Sequence, residues 1–291
     1  MGSTKKIIRR SALLPTVLLT ALLGLLATLL APAAGAEPDR AGPRGPNVFQ
    51  GWAFDTCKTP SLSTLQAWKN AKYRGVGIYF GGRGRACPRQ PNLTADWVSA
   101  AHRSGWRLLP LYVGSQSPCV VNKHKRKVTI AGDPARTGAS EGRDAVQRAS
   151  ALGIAPGSAL YLDMEAYSLR NASCTERTLG YIRAWNRETR RLGYLPGFYS
   201  SADSGVRHME RARRAGTAGL PSVMWFARWH SKPNLYGEPE LSPQAWRPHL
   251  RIHQYAGNVA ETHGGRRLVI DRNQVDAPVA VIKQPGETAI Q

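Results

Sequence analysis

The chain has no Cys-x-x-Cys and no His-Glu-x-x-His, and its seven histidines are scattered, so no metal site is expected. A Gly-x-Ser-x-Gly turn is also missing, which argues against acyl-transfer chemistry on an exposed serine. The segment Asp55-Thr56-Cys57-Lys58-Thr59-Pro60, after the first expected strand, has none of the glycines that let a backbone close on a dinucleotide pyrophosphate. No cofactor is therefore expected. Past residue 31 no apolar run is long enough to span a bilayer. Acidic residues are scarce, 19 Asp and Glu against 40 Lys and Arg in 291 residues, for a net charge of +21. Such a balance draws a protein to polyanions, whether wall polymers, anionic lipid or nucleic acid, but says nothing about a reaction.

What is present begins with an export pattern. Lys5, Lys6, Arg9 and Arg10 form a positive head, residues 11–31 are almost wholly apolar, and Ala34-Gly35-Ala36 offers a small-x-small cleavage site. Residues 1–36 read as a signal peptide, and removal leaves no membrane segment. A retained anchor is the competing reading, opposed by the cleavage site and Pro32. Arg9-Arg10 resembles a twin-arginine export signal, a route that stands beside the general secretory one. Residues 37–47 are rich in Pro, Gly and Arg and read as a linker, and residues 283–291 as a C-terminal tail. The expected location is outside the cell or on its wall.

Between these ends, short apolar runs alternate with amphipathic stretches. Strands are expected at 48–55, 76–80, 107–113, 159–164, 195–199, 223–227, 250–255 and 268–271. Helices are expected at 61–72 with Ser61 as cap, 93–104, 139–152, 174–192 and 204–215. The intervals before the last two strands contain Pro, Gly and His and show no helical period. The pattern predicts an α/β fold over 48–282, a modified (β/α)8 barrel with degenerate last helices, rather than an open doubly wound sheet.

Leu160 to Tyr167 carries the chemistry. It is an apolar run ending in Asp163-Met164-Glu165, and residues i and i+2 of a strand share a face. Two acids on one face of a buried strand end must be paired, hydrogen-bonded or solvated in a cleft. In a parallel barrel the strand ends form the active rim, which also receives Asp55 and Asp271. Cys57, Cys87, Cys119 and Cys174 allow three pairings. They fall in the loops after strands one, two, three and four in turn, so pairing Cys57 with Cys87 and Cys119 with Cys174 staples neighbouring rim loops. Aromatic residues crowd the same rim, as a sugar ring requires, and Trp229, just past a strand, is the best contact among them. Trp52 and Tyr79 fit the core as readily as the site. Lys123-His124-Lys125-Arg126-Lys127 reads as a solvated basic loop; no aromatic interleaves it as a nucleic-acid groove would need, so no specific nucleic acid is expected.

Six segments now stand in order: Gly51-Trp52-Ala53-Phe54-Asp55-Thr56-Cys57, Tyr161-Leu162-Asp163-Met164-Glu165, Gly197-Phe198-Tyr199-Ser200, Trp225-Phe226-Ala227-Arg228-Trp229, His253-Gln254-Tyr255 and Ile270-Asp271-Arg272-Asn273. Together they resemble the glycoside-hydrolase-like domain of unknown function of secreted actinobacterial proteins. That domain is in turn similar to the Chalaropsis-type lysozymes, glycoside hydrolase family 25. The resemblance implies that Asp55, Asp163, Glu165 and Asp271 line the site with Glu165 as general acid, and that Tyr199, Gln254 and Tyr255 lie on the substrate side. His253 stands where the lysozymes usually carry Trp, and the disulfide-bearing rim belongs to the uncharacterised domain. The expected function is a monomeric secreted glycosidase acting on peptidoglycan or another microbial glycan, with a pKa of Glu165 raised by burial and by Asp163. The alternative is a non-catalytic barrel that binds cell-wall glycan. The expected partners are cell-wall glycan or an anionic wall polymer.

Overall fold

The computed structural model describes residues 47–283, so the expected signal peptide and nearly all of the expected linker and tail lie outside the described residues. Strands β1 (Val48–Asp55), β2 (Tyr73–Gly81), β3 (Arg107–Tyr112), β4 (Ala159–Asp163), β5 (Leu195–Ser201), β6 (Val223–Ala227), β7 (Arg251–His263) and β8 (Arg266–Pro278) close into a barrel in chain order. Helices α1 (Leu62–Ala67), α2 (Ala95–Arg103), α3 (Pro134–Ala151), α4 (Ala172–Arg191) and α5 (Arg207–Arg214) lie between the first six strands. The architecture is the modified α/β barrel that the alternating pattern implies.

Helices α1 to α4 each start where a side chain can satisfy a free backbone N–H, whereas α5 follows directly on the turn 202–206 without a side-chain cap. Ser61, Thr94, Asp133 and Asn171 accept from Thr64, Trp97, Arg136 and Cys174 respectively. Helix α3 begins at Pro134, five residues before the expected start, because Asp133-Pro134 supplies both an N-cap and a residue suited to the first turn. Its small residues Gly138, Gly142, Ala145 and Ala149 are buried, which lets α4 lay Tyr181 and Trp185 close against it. Among the described residues no helix is long and apolar enough to cross a membrane.

The last quarter departs from the expectation. Strands β1 to β7 pair in parallel, but β8 runs antiparallel to both β7 and β1. The stretch 256–267, which has no helical period, continues β7 and β8 into one long hairpin with a turn at Gly264-Gly265. Asp271 is therefore within β8, directly across from Asp55, and not at the end of an ascending strand. The hairpin covers the barrel wall where final helices would lie: Trp68 Nε1 donates to the Arg266 carbonyl at 2.9 Å and Tyr73 Oη to Glu261 at 2.7 Å.

Strand alternation divides the core into two layers. Ala53, Leu109, Leu111, Ala159, Tyr161, Val223, Trp225, Ile252, Val275 and Ala277 fill the barrel, whereas Phe54, Val76, Ile78, Leu108, Leu160, Leu162 and Phe198 face the helices. Glycines in β2 make room for the interior side chains of β1, since a Cβ at Gly77 would stand 2.5 Å from Asp55 Cβ. The structure joins Cys57 to Cys87 and Cys119 to Cys174.

Gly77→Ala should destabilise the protein by about 1–3 kcal/mol through overpacking against Asp55. Urea denaturation checks this, and an unchanged midpoint would refute the packing argument.

Candidate active site

Period-two alternation aims one set of side chains into the barrel mouth: Asp55 from β1, Tyr79 from β2, Asp163 from β4, Tyr199 from β5, Gln254 from β7, and Asp271 and Asn273 from β8. Glu165, two residues beyond Asp163, shares its face. The resulting cleft of about 470 Å³ is lined by Asp55, Asp163, Glu165 and Asp271, with Lys125, Arg85 and Lys58 on its walls. A second lobe of about 340 Å³, bounded by Tyr199, Arg228 and Trp229, meets the first at Glu165.

Asp55 is the most heavily supported group. Tyr79 Oη donates to Oδ1 at 2.7 Å, while Gln254 and Asn273 amides donate to Oδ2 at 3.0 and 2.8 Å. The two amides are themselves fixed. Trp225 Nε1 donates to Asn273 Oδ1 at 2.8 Å, and Tyr199 Oη and Trp229 Nε1 donate to Gln254 Oε1 at 2.9 and 2.8 Å. Burial raises the pKa of Asp55 from its ordinary value despite these three donors.

Asp163 has the opposite surroundings. It is 5% exposed, and its Oδ1 has no hydrogen-bond partner among the described residues. Burial, and after it the charge of Glu165, drives its pKa well above the usual value. Asp271, raised to about 7 by burial and by Asp55, accepts one bond, from the Asn258 backbone at 2.6 Å.

The expectation that burial falls on Glu165 is corrected. Its side chain is 33% exposed and ion-paired to Lys125 at 3.2 Å, and the carboxyl whose pKa burial raises is that of Asp163. Gln116 holds this strand end, donating to the Asp163 carbonyl at 2.9 Å and accepting from the Glu165 N–H at 2.8 Å.

Tyr255 is a second correction. Adjacent residues of a strand point to opposite faces, so Gln254 turns inward and Tyr255 outward. Its ring lies 5.9 Å from that of Trp52, and Lys72 Nζ donates to its hydroxyl at 3.1 Å. It is not among the residues that line either lobe. Trp229 does reach the second lobe, 39% exposed, with its ring laid against Gly257, where a Cβ would collide with it.

Sequence reasoning missed Lys125, Gln116 and Asn273 and left Tyr79 undecided. Lys125 was hidden in the basic run, which forms a 3-10 turn that buries this one lysine and sends its ammonium to the Gly84 carbonyl at 2.8 Å and to Glu165. Asn273 was within reach, because it stands two residues after Asp271 and so shares its face.

Residues 66–275 match the family described as the Rv2525c-like, glycoside hydrolase-like domain. The Tat-secreted protein Rv2525c of Mycobacterium tuberculosis, solved in complex with L-tartrate, is 17% identical, with a TM-score of 0.50 over 78% of this chain and 96% of that one. An uncharacterized protein of B. stearothermophilus is 19% identical, with a TM-score of 0.48 over 77% of this chain and 95% of that one. The modular autolysin LytC of Streptococcus pneumoniae is 13% identical, with a TM-score of 0.48 over 79% of this chain and 46% of that one. No curated protein matches the chain. The family match spans β2 to β7 with most of β8, and with them Asp163, Glu165 and Asp271, so the chain belongs to the Rv2525c-like glycoside hydrolase-like domain family.

Proposed function

We propose that this protein is an exported glycosidase, a single barrel over 48–282, that acts on peptidoglycan or another microbial wall glycan. The observation that carries the reading is the unpartnered Oδ1 of Asp163, a buried carboxyl facing a cleft beside a carboxylate held by lysine. Groups whose environments push their protonation apart are what acid-assisted glycoside cleavage needs. Asp163 gives its proton to the glycosidic oxygen as the C1–O bond breaks, and Glu165 supplies negative charge to the oxocarbenium-like centre. Attacking water adds hydroxyl to C1 and returns a proton to Asp163. These roles reverse those that the lysozyme resemblance implies. Asp55, locked by three donors, holds the cleft floor and the charge balance. The two lobes on either side of Glu165 suit a strand cleaved internally, with Trp229 as a stacking surface in the second. The two disulfides support work outside the reducing cytoplasm.

The Lys125–Glu165 contact favours a second reading, a wall-glycan-binding barrel without turnover, because the ion pair occupies the carboxylate that a substrate would need. One assay separates the two. In release of reducing sugar from purified peptidoglycan and a panel of microbial polysaccharides, Asp163→Asn and Glu165→Gln should each lower the rate by about 10²–10⁴-fold. If folded wild type releases nothing while still binding glycan, the hydrolytic reading fails and the binder stands.

Protonation also sets stability. The folded pKa of Asp271, about 7, lies above its ordinary value of 3.8, so its contribution is full below the lower value and is lost as pH rises through the upper one. Between pH 5 and 8 the wild type should lose stability. Asp271→Asn should flatten that decline, with a difference on the order of 2 kcal/mol by pH 8. Urea midpoints across this range are the check, and parallel slopes for the two proteins would contradict the assignment.

A further inference from the structure

The larger lobe has one wall that the proposed chemistry does not use. Lys58 and Arg85 line it, on the loops after β1 and β2. Neither forms an ion pair among the described residues. Arg85 is half-buried and donates to carbonyl oxygens alone, Gly82 at 3.1 Å and Tyr79 at 3.3 Å. Arg148 and Asp144 both stand near it, but they are paired with each other through bonds of 2.9 and 2.8 Å. Lys58 is exposed and makes no hydrogen bond among the described residues. Lys125, by contrast, is committed to Glu165 and the Gly84 carbonyl.

This wall is built to keep its shape. The Cys57–Cys87 disulfide ties the two loops, with Lys58 next to one cysteine and Arg85 two residues before the other. Gln90 adds a second staple: its amide donates to the Cys57 carbonyl at 2.7 Å and the Cys87 carbonyl at 2.9 Å, and its oxygen accepts from the Thr59 N–H at 2.8 Å. A partly buried guanidinium with no carboxylate in hydrogen-bond contact, lining the same cleft as a second free cation and the acidic floor, is a site for an anion carried on a ligand. A free anion would gain little there against the floor's acids, whereas a sugar strand can lay hydroxyls on the acids and turn its charged substituent to the wall.

We propose that the Lys58–Arg85 wall reads an anionic substituent, a carboxylate or phosphate, on the glycan that the cleft takes. The inference rests on the glycan reading of the same cleft and narrows its substrate class to acidic polymers. Arg85 makes the bidentate contact and Lys58 adds charge at the rim.

The test is titration calorimetry at fixed, near-physiological salt with three probes: chitotetraose as the neutral strand, a hyaluronan tetrasaccharide as the carboxylate strand, and inorganic phosphate. The proteins are wild type, Arg85→Met, Arg85→Lys, Lys58→Met and, as a remote control, Arg136→Met. Wild type should bind the hyaluronan fragment about tenfold more tightly than chitotetraose, and Arg85→Met should abolish that preference while leaving chitotetraose unchanged. Arg85→Lys should restore part of it, which shows that the loop remains folded. Lys58→Met should cost about threefold on the acidic strand, and Arg136→Met nothing. Competition by phosphate that depends on Arg85 would assign the wall to phosphate-bearing polymers as well. Equal wild-type affinity for neutral and acidic strands, or equal loss of both in Arg85→Met, would overturn the proposal. Arg85-dependent binding of the acidic strand by a protein that releases no sugar would instead remove the hydrolytic reading and leave this one standing.

Discussion

The burial of Asp55 is the constraint on which the molecule depends. A carboxylate at the centre of a barrel mouth is costly unless donors surround it, and here the donors come from β2, β7 and β8. Those three strands must hold register to within a fraction of an ångström for one oxygen pair to be satisfied. The second row of partners, Trp225, Tyr199 and Trp229, extends the requirement to β5, β6 and the loop beyond. Fold and site are thus one network. A barrel whose last strand slipped by one residue would turn Asp271 and Asn273 outward and cost Asp55 the amide donor that β8 supplies.

Around that fixed point, protonation is divided by environment rather than by residue type. Asp55 is encircled by donors, Asp163 has an oxygen with none, Asp271 has one backbone donor, and Glu165 has a lysine. Four acids of nearly equal intrinsic strength thereby become four different chemical groups. The basic surplus of the chain as a whole plays little part in this, since the surface cations are screened by solvent and the cleft is governed by Lys125 within it.

Much of this arrangement was legible in residue order because alternation and strand ends are local facts. Asp55, Asp163 and Glu165 follow from apolar runs that stop at an acid, and the loop positions of the cysteines match the bridges that form. The direction of β8 was not legible, since a four-residue apolar run has no polarity and the antiparallel return is decided by the hairpin at Gly264-Gly265. Tyr255 was misplaced because a motif was taken as a unit, although Gln254 turns to Asp55 while Tyr255 packs against Trp52 and Lys72 at a shift in the β7 register. Lys125 was lost for a different reason. Five consecutive basic residues look alike, and which of them turns inward depends on a 3-10 turn that composition does not announce.

The antiparallel return of β8 has a consequence for how the molecule can be mounted. Val48 pairs with Pro278, so the barrel's first and last strands begin and finish side by side on the face opposite the acids. Anything fused before Val48 or after Pro278 is therefore attached on that shared floor, with the acidic mouth left on the far side.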